Sequence, residues 1–348
     1  MFSLLKPYIF GLDPEVAHDL AIKSLKFNFV PKSFFQVEDE EILKTELFNK
    51  KLKNPIGLAA GFDKSAEVYN SLFKLGFGFI EVGTITPRRQ VGNSKPRIFR
   101  LEKDKAMINR LGFNNDGMEI AIERLTKNQP EDFLGINVGP NKDTKDKYLD
   151  FVKCFDKLNK LADYITINIS SPNTENLRNF HEKKLLSNLL NKLNELKKNK
   201  KIKCPIVLKI SPDIEEKEIN DINELVIKFK IDGIILTNTT NQHRENLFDI
   251  KKSEAGGLSG LPLQKLSLKF IKNFYKSNKG KIPIIGVGGI DSGQSAFEKI
   301  AAGATAVQLY TSMIYKGPGI VKDIKKELIE ILKKEKIKNI KEVIGINS

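Results

Sequence analysis

Residues 168–174 read NISSPNT, directly after the apolar run YITI at 164–167. A buried strand that merely stops needs one turn former, yet this one stops in a group of neutral hydrogen-bonding side chains. The pattern recurs along the chain. Lys64, Thr84, Asn137, Asn168, Ser171, Asn173, Lys209, Thr237, Asn238 and Thr239 all fall at or just past the C-terminal ends of apolar runs. Taken singly, Asn, Ser and Thr are turn formers. Buried amides, however, must be hydrogen-bonded, and each both donates and accepts. Gathered at so many strand ends, they describe a pocket for a ligand rich in carbonyls and ring nitrogens.

Glycine supplies a second feature. GVGGI (286–290) and YTSMIYKGPG (310–319) close the last two apolar runs, and Gly256, Gly257 and Gly260 in AGGLSG add further exposed backbone. Free backbone N–H groups at the start of a short helix bind phosphate. Lys209 can set a cation beneath the ring of the same ligand. The sequence shows no catalytic zinc triad, no carboxylate pair at glycosidase spacing and no Cys nucleophile with a matched His. An amide-rich pocket with a phosphate cradle suits flavin mononucleotide (FMN), which brings its own redox chemistry.

These groups need a scaffold that brings many strand ends together. Eight short Ile/Val/Leu-rich runs lie at 54–61, 77–86, 133–139, 164–170, 205–211, 233–238, 282–290 and 306–311. Nearly continuous apolar character marks strands buried on both faces. Amphipathic stretches such as 65–76, 185–198 and 295–304 separate them. The alternation predicts an α/β fold, a (β/α)8 TIM barrel with its site at the C-terminal strand ends. A doubly wound sheet would need a G-x-G-x-x-G turn, which GLAAGFDK does not supply. Residues 87–112 are too long and polar for an ordinary loop, and RIFRL with AMINR predicts a hairpin over the barrel mouth. Residues 1–45 precede the repeat as a small helical extension, leaving 46–348 as the barrel. Asp13 before Pro14 predicts a capped helix start.

The chain has 348 residues and a formal net charge of +15. Only eight of its 58 basic residues are Arg, and the Lys clusters at 50–53, 197–203 and 333–338 are scattered and not interleaved with aromatics. That pattern predicts a solvated surface with some attraction to anionic membrane, and argues against nucleic acid. Cys154 and Cys204 have no CxxC or His partner, so a reducing compartment and no structural metal are expected. No run reaches the roughly 18 apolar residues of a membrane span, and the first residues fit neither a signal nor a transit peptide.

Several of these stretches, in order, form a recognisable set: NPIGLAAGFDK, GFGFIEVGTITPRRQVGN, KPRIFRL, INRLGFNNDG, INISSPNT, GGLSG, IPIIGVGGI and YTSMIYKGPG. Over essentially the whole chain they resemble dihydroorotate dehydrogenase. The resemblance is to the quinone-dependent class 2 branch. Ser171 stands where class 1 enzymes place a catalytic Cys, and LLKPYIFGLDPEVAHDLAIKSL is similar to the amino-terminal extension that class 2 enzymes carry. A class 1 enzyme would have Cys at 171 and no extension. Another FMN barrel would lack the NISSPNT and INRLGFN pair, and a non-catalytic basic binding protein would bind ligand without turnover.

The resemblance implies a dihydroorotate:quinone oxidoreductase of pyrimidine (UMP) biosynthesis. Ser171 would take the C5 proton of dihydroorotate and FMN the hydride, giving orotate. The implied flavin contacts are Ala60, Gly61, Thr84, Asn137, Asn168, Lys209, Thr237, Gly260, Gly289, Tyr310 and Thr311. The implied substrate contacts are Lys64, Asn109, Arg110, Leu111, Gly112, Phe113, Asn168, Asn173, Asn238 and Thr239. Thr174, with a water over Phe113, would relay the proton, and His18, Arg100 and Tyr310 would line a quinone tunnel. It further implies a peripheral protein on the cytoplasmic face of a bacterial inner membrane, with no metal and no obligate partner subunit. The chain departs from the family at Glu175–Asn176 after SPNT and at Leu261, where an Arg is common.

Overall fold

The computed structural model describes residues 2–27 and 39–348. Two helices, α1 (Phe2–Gly11) and α2 (Pro14–Lys26), come first. Asp13 caps α2, its carboxylate accepting from the backbone N–H of Glu15 (2.9 Å) and Val16 (3.1 Å). A hairpin of β1 (Thr45–Leu47) and β2 (Lys50–Leu52) follows. The chain then runs through β3 (Ile56–Leu58), β4 (Phe79–Ile85), β5 (Ile98–Leu101), β6 (Ala106–Asn109), β7 (Leu134–Val138) and β8 (Tyr164–Asn168). After these come β9 (Ile206–Ile210), β10 (Gly233–Leu236), β11 (Gly257–Gly260), β12 (Ile284–Val287) and β13 (Ala306–Leu309).

Strands β3, β4, β7, β8, β9, β10, β12 and β13 close into a parallel barrel in that order, one in each of the eight apolar runs. The helices between them are α3 (Tyr69–Phe73), α4 (Met118–Lys127), α5 (Lys147–Leu158), α6 (Lys183–Asn199), α7 (Glu216–Lys228), α8 (Gln264–Asn278) and α9 (Gly293–Ala301). Two more, α10 (Thr311–Lys316) and α11 (Ile320–Lys334), follow β13. Spacing explains their docking: Leu186, Leu189, Leu190 and Leu193 of α6 fall on one face and are buried. The helix expected over 65–76 shortens to α3. Buried Asp63 accepts from the N–H groups of Glu67 and Val68 (2.7–2.9 Å), which holds the preceding residues in a turn.

The predicted hairpin forms as antiparallel β5–β6. AGGLSG differs from expectation: it is not free backbone but β11, paired with β6 as the third strand of a side sheet. A side chain at Gly257 would strike Thr239, so only glycine lets this strand approach the barrel.

Side chains alternate along each strand, so Tyr164, Thr166 and Asn168 of β8 share the barrel interior. The bottom layer is apolar. Leu47, Phe48 and Leu52 of the first hairpin pack with Phe79, Phe133 and Tyr164 and plug the N-terminal end. Above them sits Glu81, fully buried. One carboxylate oxygen accepts from Asn137 Nδ2 (2.8 Å); the other accepts from Tyr164 OH (2.9 Å), Gln308 Nε2 (3.1 Å) and Thr166 Oγ1 (3.2 Å).

Ile22 and Leu25 of α2 join the main core. Buried Glu15 pairs with Arg97, whose Nη2 and Nε reach its two oxygens at 2.6 and 3.1 Å. Burial works against the Glu15 charge, but Arg97 and Lys95 together outweigh it and lower the carboxyl below its usual range. Arg100 donates to the carbonyls of Phe10 and Leu12 (both 3.0 Å) and lies over the Phe10 ring.

Glu81→Ala leaves four buried donors without their acceptor. Each such loss costs about 1–3 kcal/mol, so the variant should be less stable by about 3 kcal/mol or more. The urea unfolding midpoint reads this, and an unchanged midpoint would show that the donors find other partners.

Candidate active site

A cavity of about 470 Å³ opens at the C-terminal ends of the barrel strands. That volume lies within the range of small-molecule sites. Its floor is built upward from Glu81. With its Nδ2 held by that carboxylate, Asn137 turns Oδ1 toward the cavity side, where it accepts from Thr84 Oγ1 (2.7 Å) and Asn168 Nδ2 (3.0 Å). Asn168 Oδ1 in turn accepts from Ser170 Oγ (2.9 Å), which also receives Asn238 Nδ2 at 2.9 Å. The amides of three strands thus have one fixed polarity.

The structure brings most of the sequence-predicted residues to this cavity. Ala60, Gly61, Lys64, Thr84, Asn168, Ser171, Asn173, Lys209, Thr237, Asn238 and Thr239 line the barrel side. Asn109, Leu111, Gly112 and Phe113 line the hairpin side, and Gly260, Gly289, Tyr310 and Thr311 the far end. Five others lie elsewhere. Asn137 supports the floor from behind. Arg110 points away, donating to Glu254 (2.7 Å) and stacking on Phe99. Thr174, the last residue of NISSPNT, is buried but is not on the wall. Arg100 is taken up by α1. His18, on α2, reaches Lys64.

Ser171 is nearly buried, and its Oγ accepts from Asn173 N at 3.2 Å. Asn173 Nδ2 donates to the Asn109 carbonyl (3.0 Å), tying the turn to β6. Arg178, which the sequence reading missed, pins both flanking loops through the Ser170 carbonyl (3.2 Å) and the Thr239 carbonyl (3.0 Å), and pairs with Asp213 (2.8 Å). No local pattern announces it, because its partners are distant in sequence. Glu81 was also missed, although a carboxylate inside FGFIEVGT was a visible signal.

Two cations face the cavity. Burial lowers Lys64 to about 8, although Glu15, Asp19 and Asp63 act to raise it. Lys209 is lowered by burial and raised by Glu81; among the described residues its ammonium has no hydrogen-bond partner. Lys299, on α9, is fully buried with its ammonium against the first turn of α8, bonded to Ser267 Oγ (3.0 Å), and burial takes it to about 7.

Buried polar atoms without a partner test what this site can hold. Thr237 Oγ1, Gln308 Oε1, Ser312 Oγ and Asn114 Oδ1 are such atoms, and all four residues line the cavity. A group of buried unsatisfied atoms around one cavity marks a ligand's place. At the far end, Gly289 has φ 72°, and a Cβ there would come within 2.7 Å of the Gln264 backbone. That bare loop, beside Tyr310–Thr311 at the start of α10, presents backbone suited to a phosphate. The donor set fits a flavin mononucleotide.

Comparison with known proteins agrees with this geometry. Residues 42–332 match the family model described as dihydroorotate dehydrogenase. The dihydroorotate dehydrogenase (quinone) of Christiangramia forsetii is 47% identical, covering 94% of this chain and 98% of its own. The mouse mitochondrial dihydroorotate dehydrogenase (quinone) is 43% identical, covering 97% and 87%. The crystal structure of the Eimeria tenella enzyme in complex with ferulenol superposes with a TM-score of 0.93 at 38% identity, covering 97% of this chain and 98% of that one. A closed barrel with this cavity, a family match across most of the chain and relatives of this identity along nearly its full length lead to one conclusion: the chain belongs to the dihydroorotate dehydrogenase family.

Proposed function

We propose that this chain is an FMN-dependent dihydroorotate:quinone oxidoreductase of pyrimidine biosynthesis, with Ser171 as the base. The observation that carries the reading is the set of unpartnered polar atoms and the free Lys209 ammonium around one cavity, with Ser171 on its wall. Gly260, Gly289, Tyr310 and Thr311 would hold the phosphate; Ala60, Gly61, Thr84, Asn168, Lys209 and Thr237 would hold the ring, with Asn137 behind them. FMN held by these residues would supply the redox chemistry, as hydride acceptor from the substrate and electron donor to quinone.

The protein's own task is to bind, orient and deprotonate. Lys64 supplies the counter-charge for the substrate carboxylate. Asn109, Asn173, Asn238 and Thr239 meet the alternating N–H and C=O groups of its ring, and Leu111, Gly112 and Phe113 cover it. Arg110 supports this wall from behind, its side chain engaged by Glu254 and its backbone N–H and C=O by Arg97 and Asn93. Ser171 takes the C5 proton. A serine is a weak base, so it must pass its own proton on, through Thr174 and a water over Phe113. The Asn173 N–H fixes the Ser171 hydroxyl from one side, which leaves its hydrogen available for that transfer.

Residues 1–45, of which 1 and 28–38 lie outside the described residues, form the extension in this reading and 46–348 the barrel. His18, Arg100 and Tyr310 line the quinone path. Support comes from the outward surface of α1 and α2, where Leu4, Leu5, Tyr8, Leu12, Val16 and Leu20 are exposed. The sequence alone suggests an outward apolar face of Phe2, Leu5, Ile9, Phe10, Leu20 and Leu25, but Leu25 is in the core and Phe10 packs against Tyr315. Among the described residues no helix is long and apolar enough to cross a membrane. The exposed apolar surface suits a helix pair lying in a lipid interface, helped by Lys attraction to anionic headgroups. The protein would then work from the cytoplasmic face of a bacterial inner membrane.

Three outcomes test the reading. Ser171→Ala should keep FMN and bind orotate, yet reduce its flavin about 10²–10⁴-fold more slowly under anaerobic dihydroorotate; Ser171→Cys should recover part of the rate. Near-normal reduction in the alanine variant would remove Ser171 from the chemistry. Orotate, an anion, binds the charged form of Lys64 and so raises its pKa. Affinity should therefore be flat below about pH 8 and weaken as pH rises through about 8, with Lys64→Met abolishing the inflection. Calorimetric titration across pH reads it. Finally, Leu5→Glu with Tyr8→Glu should prevent cosedimentation with anionic lipid vesicles; unchanged sedimentation would place the membrane contact elsewhere.

A further inference from the structure

The extension reaches the substrate end of the cavity as well as the membrane side. His18, on the inward face of α2, brings Nε2 to 2.9 Å from Lys64 Nζ. Its ring is set edge-on against Phe62 (5.2 Å between centroids), which itself meets Tyr310 edge-on (5.8 Å). Phe62 lies two residues before Lys64 on the same turn, so one local structure fixes both the ring and the lysine stem. Helix α2 is held down independently by Glu15–Arg97 and by the burial of Ile22 and Leu25.

Only one arrangement of charge suits this contact. Burial, followed by the Lys64 charge, lowers His18 to about 3. At neutral pH the ring is uncharged, Nε2 is an acceptor, and the Lys64 ammonium donates to it. Glu15, Asp19 and Asp63 favour the Lys64 charge and Arg97 opposes it, but the hydrogen bond found for Lys64 is the one to His18. A lysine on a flexible four-carbon stem is poorly aimed unless a partner holds it.

We propose that His18 is a positioning residue for Lys64, holding its ammonium where the substrate carboxylate meets it. The extension would then contribute to the dihydroorotate half of the reaction, and not to quinone access alone. This rests on the assignment of Lys64 to the substrate carboxylate made above.

The experiment compares wild-type holoenzyme with His18→Leu and His18→Gln. Leucine keeps apolar packing but accepts nothing; glutamine keeps an acceptor. Orotate affinity is read by calorimetry, and dihydroorotate KM and kcat with a small soluble dye as oxidant. His18→Leu should weaken orotate about 10-fold, as expected for a lost buried hydrogen bond to a charge, and raise KM more than it lowers kcat. His18→Gln should stay within about threefold of wild type. Equal affinity in all three proteins, or equal weakening in both variants, overturns the proposal, the latter because it shows packing alone. Should the leucine variant fail to fold, the ¹⁵N imidazole spectrum of wild type decides. Adding orotate should move the His18 Nε2 resonance, and no movement overturns the proposal. A wild type that binds no orotate would instead overturn the functional reading itself.

Discussion

A single buried carboxylate sets the polarity of the site. Glu81 lies where the barrel changes from an apolar plug to a polar floor, and β7, β8 and β13 each send a donor to it. An isolated charge at this depth would be prohibitive, and four hydrogen bonds make it tolerable. The consequence is directional. An Asn amide can sit in either of two flips, but the carboxylate claims the Asn137 NH2 group, so its oxygen must face Thr84 and Asn168. Asn168 must then turn its own oxygen to Ser170. Glu81 also favours the charged state of Lys209, the cation that has no other partner among the described residues. The sense of the amides of Asn137, Asn168 and Asn238 is thus inherited from one residue below them.

Above that floor, part of the cavity wall comes from elements that do not belong to the barrel repeat. The side sheet of β5, β6 and β11 supplies Asn109 and Gly260, and Asn109 anchors Asn173 across the cavity. The same sheet carries Arg100, and Arg97 immediately precedes its strand β5; these residues dock α1 and α2. One three-stranded sheet therefore joins the NISSPNT turn to the extension. A displacement of the first two helices would reach the cavity wall by two routes, through Arg97 and through Lys64.

What could be read from the sequence follows from how local each signal is. The eight strands announced themselves because strands buried on both faces are continuously apolar, and Asp13–Pro14 announced α2 because a cap is a two-residue device. The cavity wall was legible for a similar reason: buried strands that end in amides are unusual, whatever surrounds them. Contacts between distant segments were not legible. β11 looks like loose glycine-rich backbone until its partner β6, some 150 positions earlier, is known. The shortening of α3 depends on the burial of Asp63, and Arg178 is explained only by the loops on either side of it. The apolar face of the extension was partly misassigned because two short helices offered more apolar residues than one docking surface could take.

The hairpin plug at the foot of the barrel decides how the cavity can be used. With Leu47, Phe48 and Leu52 seated against Phe79, Phe133 and Tyr164, the lower end is shut. The molecule is a vessel with its opening at the top, and the side sheet and the extension partition that opening between them. Whatever enters must depart by the same end. Traffic is therefore a matter of sharing a doorway: two ligands of different character can be served at once only if they approach from different sides of the same rim.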